Sequence, residues 1–374
     1  MSPTLRKPLR DPRSGVALIL VMVSIAFMAI IIVEVIAASR VDLRIAINAR
    51  NRLQAQYLAQ SSAKFQLLRL AMYQNVKNMG DTSAAGVTTA MIDNIWNAPM
   101  PPFPLDSAKT TWPGQLMGSI TSEGSKIPIN LLDGAPYRGS NEAIAGEVKT
   151  QLEALIRGML ETEEFDEKYR GLEPKDLIDP LIDWIDSNKD KIGGGDEDRE
   201  YERLDPPYHT RNDRIPSLGE LHLIQGWTDD LIRRIGPNLS VLNIDTKLNP
   251  NYVSLTRIKS WGPNLTDSEL AYIDQKRRIV PMKSMSELET LIKSDPEIRG
   301  GDSFKIPDNL KDSKNLTARE RVFQIEASGI VGNVRRNLRL GVIFMEEKLK
   351  TEKGKAPKTG KLLEPQVVFV EEYL

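Results

Sequence analysis

Val16 to Ala38 is an apolar run of 23 residues whose only charged member is Glu34. As a helix it covers about 34 Å, enough to cross a hydrocarbon layer about 30 Å thick. Beyond Ala38 no Pro or Gly occurs until Gly80, and helix formers continue through Arg44, Ala49, Leu53, Gln56, Ala59 and Ala63. The spacing predicts one helix from Val16 to about Met79, roughly 95 Å long. No single globular core buries such a rod. Its first half belongs in lipid or against other helices, and its second half on a folded domain. Leu58, Phe65, Leu68, Met72 and Val76 recur at helical spacing, with Ser61 and Ser62 as small gaps, and form the expected packing face.

In front of the run, Arg6, Lys7, Arg10 and Arg13 outweigh Asp11. By the positive-inside bias this predicts a cytoplasmic N-terminus and an extracytoplasmic bulk. An ordinary secretory signal is cut after its apolar segment, whereas here Arg13-Ser14-Gly15 abuts the start of the run at Val16. Two readings follow: an uncleaved signal anchor, or a leader removed ahead of a helix that survives.

With 374 residues, 27% charged and 40% hydrophobic, the chain is of folded composition and long enough for more than one core. The net charge of -1 hides an acidic middle: residues 129–312 hold 36 Asp plus Glu against 25 Lys plus Arg. Binding to a nucleic-acid backbone rests on cationic neutralisation of phosphates, so no nucleic acid is expected as a partner there. The absence of Cys excludes disulfides and thiolate chemistry, and only His209 and His222 are present for zinc or for a Ser-His-Asp triad. Asp183 and Asp186 are spaced i, i+3 like paired catalytic acids, but nothing nearby completes a hydrolase site. We therefore expect no enzyme, no catalytic residues and no organic cofactor.

Asp81 to Ser107, with Pro99, Pro101, Pro102 and Pro104, reads as loops. Strands are predicted at Gln115–Ser122 and Ile127–Leu132, and helices around Ile144–Met159 and Leu177–Ile185. Ser217-x-x-Glu220 and Ser286-x-x-Glu289 have capping-box spacing and are expected to start two more. Leu218–Ile224, the turn Gln225-Gly226-Trp227-Thr228 and Asp229–Ile235 read as a short helical hairpin. Its lone Gly226, with Asp229 and Asp230 beyond, suits packing better than phosphate binding. Asn243, Asp245 and Thr246 suit capping or turning the chain. Alternation returns at Val322–Ala327 and Leu338–Phe344, and Val367–Val370 adds a third strand. The expected class is α+β: the helix at 16–79, an α+β domain from 80–128 plus 314–374, and an inserted helical domain at 129–313.

Carboxylates crowd the segment from Asp179 to Tyr201 around Gly193-Gly194-Gly195. Asp183, Asp186, Asn188, Asp190, Asp196, Glu197, Asp198 and Glu200 are candidate oxygen ligands for a hard cation, calcium being the natural one. Counted from Asp186, loop position 6 is Lys191 where an EF-hand has Gly, so the segment departs from the EF-hand pattern. A solvated acidic loop is the competing reading.

Arg-Ser-Gly-Val-Ala-Leu-Ile-Leu-Val around Gly15, then Asn48, Arg52, Gln56 and Tyr57-Leu58-Ala59, resembles the processing site and helix of the general secretion pathway protein K family. These are the large minor pseudopilins of type II secretion. Asp183-Trp184-Ile185-Asp186, Glu197-Asp198 with Tyr201, and Leu204-Asp205-Pro206-Pro207-Tyr208 resemble that family's calcium-binding region. The resemblance implies a type IV pilin-like fold whose inserted block contains helix-hairpin-helix or sterile-alpha-motif-like modules. It implies a prepilin leader at residues 1–15, cut by the prepilin peptidase between Gly15 and Val16 with N-methylation of Val16, and a bound calcium ion. A bacterial inner-membrane anchor with the bulk in the periplasm is implied, as are contacts with minor pseudopilins I and J and with the secretin or secreted cargo. The family role is at the tip of the pseudopilus, in its initiation and in export of folded proteins. Pilins and pseudopilins mostly carry Phe and Glu where this chain has Val16 and Leu20; the missing carboxylate is typical of protein K. A minor subunit of a type IV pilus-like DNA-uptake or adhesion system is the alternative.

Intact-mass measurement of membrane-extracted protein should show loss of Met1 to Gly15, and Gly15→Ala should block that loss. A mature chain beginning near Ala38 would mark an ordinary secretory signal instead.

Overall fold

The structure, a computed structural model, describes residues 12–78, 95–105, 113–134, 141–160, 167–242, 246, 248–280, 282, 284–311, 320–345 and 363–373. The proposed leader up to Asp11 lies outside them, as do Asn243 and Asp245.

Helix α1 spans Pro12–Asn78 without interruption, about 100 Å, so Gly15 and Val16 both lie within it. Its apolar part has a mean hydropathy of 3.2 and is not covered by the rest of the chain. Further along, α1 lies across a five-stranded antiparallel sheet of order β1 (Met100–Pro104), β2 (Gln115–Ser122), β5 (Val322–Val331), β6 (Val334–Ile343), β7 (Gln366–Tyr373). The two remaining strands, β3 (Ile127–Pro128) and β4 (Leu239–Ser240), form a short parallel pair inside the helical block.

The face that α1 turns to the sheet is the expected one only in part: Leu58, Ser62 and Val76 belong to it, but Phe65, Leu68 and Met72 do not. Ala55, Leu58, Ala59, Ser62, Ala63, Gln66, Leu70 and Tyr73 are buried, whereas Phe65, Leu68 and Met72 are about half exposed. Small side chains win because the helix backbone comes down onto the strands. A Cβ added to Gly329 would lie 2.1 Å from the Ala55 carbonyl oxygen, and one added to Gly118 would lie 2.5 Å from Gln66 Nε2. Ser62 Oγ donates to the Met117 carbonyl at 2.7 Å, stitching α1 to β2. Tyr73, Trp96, Phe323 and Phe344 close the core with edge-on contacts between 5.0 and 6.4 Å.

Residues expected to be loop at Met100–Pro104 form an edge strand instead. Its prolines are tolerated because an edge needs hydrogen bonds on one side only. The β2 prediction coincides with the strand, but the expected strand at Ile127–Leu132 stops after two residues and becomes a 3-10 turn at Ile129–Leu131.

The chain leaves the sheet at Ser122 and re-enters at Val322, and Ser122 faces Phe323 across the β2–β5 ladder. The described residues between them form a mainly helical block with two cores. The first gathers α2 (Glu142–Leu160), α3 (Lys175–Ile185) and α4 (Asp229–Ile235). The second gathers α5 (Leu255–Trp261), α6 (Asp267–Ile279) and α7 (Met285–Ser294). Arg257 ties the parts together: fully buried, it donates to the Ser125 carbonyl at 2.8 Å and to Gln151 Oε1 at 2.7 Å. Burial pulls its guanidinium down to about 9. Tyr252 stacks on Trp96 at 5.0 Å and joins the block to the sheet's core.

The expected capping boxes are replaced by others. Ser217 accepts from Gly219 N at the start of a 3-10 turn (Leu218–Leu223), and Ser284, not Ser286, caps α7 by accepting from Glu287 N. The reciprocal box is Thr266 with Glu269, at the start of α6.

Gly329→Ala should destabilise the detergent-solubilised chain by about 3 kcal/mol, because neither the helix backbone nor the strand can give way. Gly146→Ala, in α2 with nothing near the added methyl, should stabilise it by about 0.5–1 kcal/mol. Urea unfolding of both variants checks the pair of signs.

Candidate metal centre

The last turn of α3 carries Asp183, and Asp186 caps its C-terminus in an extended conformation. The chain then turns through Gly193, Gly194 and Gly195, at φ of 92°, 99° and 110°, and returns along an isolated bridge between Asp190 and Asp196. These φ values are open to Gly and strained for other residues. The return delivers Glu197 beside the helix end, where ligand oxygens of Asp183, Asp186 and Glu197 all lie within 4.8 Å of one another.

The other five predicted ligands are turned to other partners or left outside this group. Asp186 Oδ1 accepts from Asn188 N, Asn188 Oδ1 from Asp190 N, and Asp196 Oδ1 from Asp198 N, each two residues on. Asp198 Oδ1 accepts from Thr210 N at 2.7 Å and Thr210 Oγ1 at 2.8 Å, while Oδ2 lies 3.3 Å from His209 Nδ1. Glu200 pairs with Arg203. Asp190, Asp196 and Asp198 instead line a separate surface cleft of about 760 Å³.

Electrostatics distinguish the three converging acids. Burial pushes Asp183 and Asp186 above the usual carboxylate range. Glu197 is pushed up to about 7, by burial first and then by Asp186 and Asp183. Asp198 goes the other way: burial raises it, but the Thr210 hydrogen bonds outweigh that and its pKa is lowered. Glu197 is only 3% exposed, and its Oε1 has no hydrogen-bond partner. Three converging carboxylates with a buried oxygen left unmatched fit a hard divalent cation, which takes oxygen ligands only. The donor set contains no nitrogen or sulfur.

The sequence named Trp184, Tyr201 and Tyr208 as motif residues without a role; their rings meet edge-on or tilted, with centroids 5.4 to 6.2 Å apart, and brace the loop. Asn130 exchanges two hydrogen bonds with the Ile215 backbone and donates to the Val241 carbonyl, closing the far end.

The hairpin glycine also has a local use. Gly226, at φ 86°, sits over the Asp176 carbonyl, which Pro180 cannot serve for want of an N–H, and Trp227 Nε1 donates to the Leu177 carbonyl at 2.9 Å. In the second core, backbone N–H groups of Arg299 and Gly300 converge on Glu269, which with Thr266 N holds that carboxyl at about 2. An anion-binding turn is thus filled by the chain's own acid.

Residues 133–244, which enclose this centre, match the family described as Type II secretion system (T2SS), protein K. Type II secretion system protein K of Pectobacterium carotovorum subsp. carotovorum is 25% identical over 240 residues, 63% of this chain and 65% of that protein. The Aeromonas hydrophila protein of the same name is 26% identical over 237 residues, 63% of this chain and 66% of its own length. The chain thus spans just under two thirds of these relatives. A chain in the crystal structure of the GspK-GspI-GspJ complex from the enterotoxigenic Escherichia coli Type 2 Secretion System shares the fold, with a TM-score of 0.58 at 14% identity, over 88% of this chain and 99% of that one.

Carboxyls raised by burial stabilise the fold while protonated. In the cation-free chain the Glu197 contribution should therefore be fully present below about pH 4.5 and be lost as pH rises through about 7, a change on the order of 3 kcal/mol. Glu197→Gln should flatten that part of the profile. Melting temperature against pH in chelator measures both.

Proposed function

We propose that this chain is a member of the type II secretion protein K family, a minor pseudopilin anchored by α1 in the bacterial inner membrane with its bulk in the periplasm. The observation that carries the reading is α1 itself: one unbroken helix is bare and apolar for its first third and packed on an antiparallel sheet in its last. A leader cut between Gly15 and Val16 by the prepilin peptidase would take the first four residues, Pro12 to Gly15, from this helix and leave the apolar run and everything after it intact. The role is mechanical and recognitional, without a reaction catalysed by the chain.

The tip of the pseudopilus is the position we assign, with pseudopilus initiation and export of folded proteins as its work. Two features support it. Leu20 supplies no intramembrane carboxylate to pair with a subunit above, a pairing that would otherwise offset the cost of a charge in lipid. The helical block between Ser122 and Val322 would obstruct a subunit stacked on that end. The neighbours on the filament side would be pseudopilins of types I and J, the companions named in the Escherichia coli complex. The secretin or the cargo would meet the block.

Calcium would be held by Asp183, Asp186 and Glu197, with water completing its shell. Its charge would offset the mutual repulsion of these acids and fasten the glycine loop to the end of α3.

Co-expression with the I and J subunits of the same system should give one defined heteromer on size exclusion, and this chain alone should give no filaments. Homopolymeric filaments would overturn the tip assignment. Adding millimolar calcium to the melts at pH 7.5 should raise the melting temperature of the parent chain and leave Glu197→Gln unmoved.

A further inference from the structure

Every residue of α1 from Val16 to Arg50 is exposed, and the first partly buried one is Asn51. The apolar span accounts for Val16 to Ala38, so Ser39 to Arg50, about 18 Å of helix, stands outside the apolar span and clear of the sheet. On this stalk Arg40, Arg44, Asn48 and Arg52 recur every fourth residue. Steps of four advance about 40° round a helix, so they form one slowly turning stripe, with Asp42 on the opposite side. Among the described residues none forms an ion pair with Arg40, Arg44 or Arg52.

The stripe runs against the charge bias of membrane insertion. Four basic residues precede the apolar run, and four more, Arg40, Arg44, Arg50 and Arg52, follow within fifteen residues of its end. Basic residues flanking a span on its translocated side are disfavoured, so their retention calls for a contact that uses them. Geometry supplies one. Helical Cα–Cβ bonds tilt towards the N-terminus, here the membrane side, so the long guanidinium arms reach back towards the bilayer. Arg40 lies about 3 Å and Arg44 about 9 Å along the axis beyond Ala38. The headgroup layer is about 5–8 Å deep, which puts both forks at the level of the lipid phosphates, groups that arginine binds in a two-pronged fashion.

We propose that Arg40 and Arg44 bind phosphates of anionic phospholipids at the outer face of the bilayer and so set the depth of α1 in the membrane. The proposal rests on the reading that Val16 to Ala38 spans the bilayer. Lipid is the occupant because the stripe starts where the apolar span ends. An acidic helix of a sister subunit would use the whole stripe, Arg52 included.

The chain has no cysteine, so Ala46→Cys offers a single point for an environment-sensitive dye. The full chain is reconstituted in vesicles of phosphatidylcholine, alone or mixed with phosphatidylglycerol. We expect phosphatidylglycerol to blue-shift the dye as the stalk is drawn inwards, and about 0.5 M salt to reverse this. The shift should vanish in Arg40→Gln/Arg44→Gln and persist in Arg52→Gln. Identical emission in the two vesicle types, a shift that survives the double substitution, or one that is lost in Arg52→Gln overturns the proposal. Carbonate washing separates the two readings. Protein retained without a lipid response sinks only the phosphate contact, whereas protein released into the wash removes the span and the proposal with it.

Discussion

The close approach of α1 to the sheet is the contact on which the remaining architecture depends. Ala55, Ala59 and Ser62 present so little side chain that the helix backbone rests on β5 and β2, and Gly329 and Gly118 give it room. Without Cβ atoms at those crossings, the larger Leu58, Leu70 and Tyr73 reach past the seam and fill the core on either side. The sheet becomes a platform fixed to a rod. The bare apolar end of the rod continues in line with the seam, so the platform keeps a set orientation to it, and whatever the sheet carries inherits that orientation.

What the sheet carries is the helical block, and polar buried groups hold it. Arg257 reaches from α5 to the Ser125 carbonyl and to α2 and lies over the Trp261 ring, so carbonyl and amide oxygens and an aromatic face solvate a charge that burial disfavours. Asn130 does similar work in the first core, standing in for a strand partner to Ile215. Removing either side chain would strand backbone groups in the interior, which is costlier than losing an equal apolar contact.

Much of this was legible in the sequence. The extents of α2, α3 and β2 followed from apolar residues at a regular repeat, and that of α1 from an apolar run continued by helix formers with no Pro or Gly up to Gly80. The docking face of α1 followed only in part. Periodicity weights bulky residues, and Phe65, Leu68 and Met72 outrank alanines on any hydrophobic scale, but close packing selected the small ones. The strand at Met100–Pro104 was hidden because proline argues against strands in general, yet an edge tolerates it. Of eight oxygen-bearing residues named as ligands, composition could not separate Asp183, Asp186 and Glu197 from the rest. The discriminating facts are three-dimensional: a glycine loop that folds Glu197 back onto the end of α3, and Thr210 arriving from twelve residues away to occupy Asp198. The short-range pairings of Asp186, Asn188 and Asp196 were local, and so within reach of sequence reasoning.

The block's two connections leave the sheet from one end of a single ladder, at Ser122 and Val322, which belong to neighbouring antiparallel strands. A pull on the block along the strands therefore tugs β2 and β5 the same way at once. The two strands are not peeled apart from each other. The load passes sideways into the ten residue pairs of β5 with β6 and into the seam with α1, where all bonds are strained together and none is first in line. The helical block is in this way attached to the rod of α1 in shear, the direction in which a β-sheet yields last.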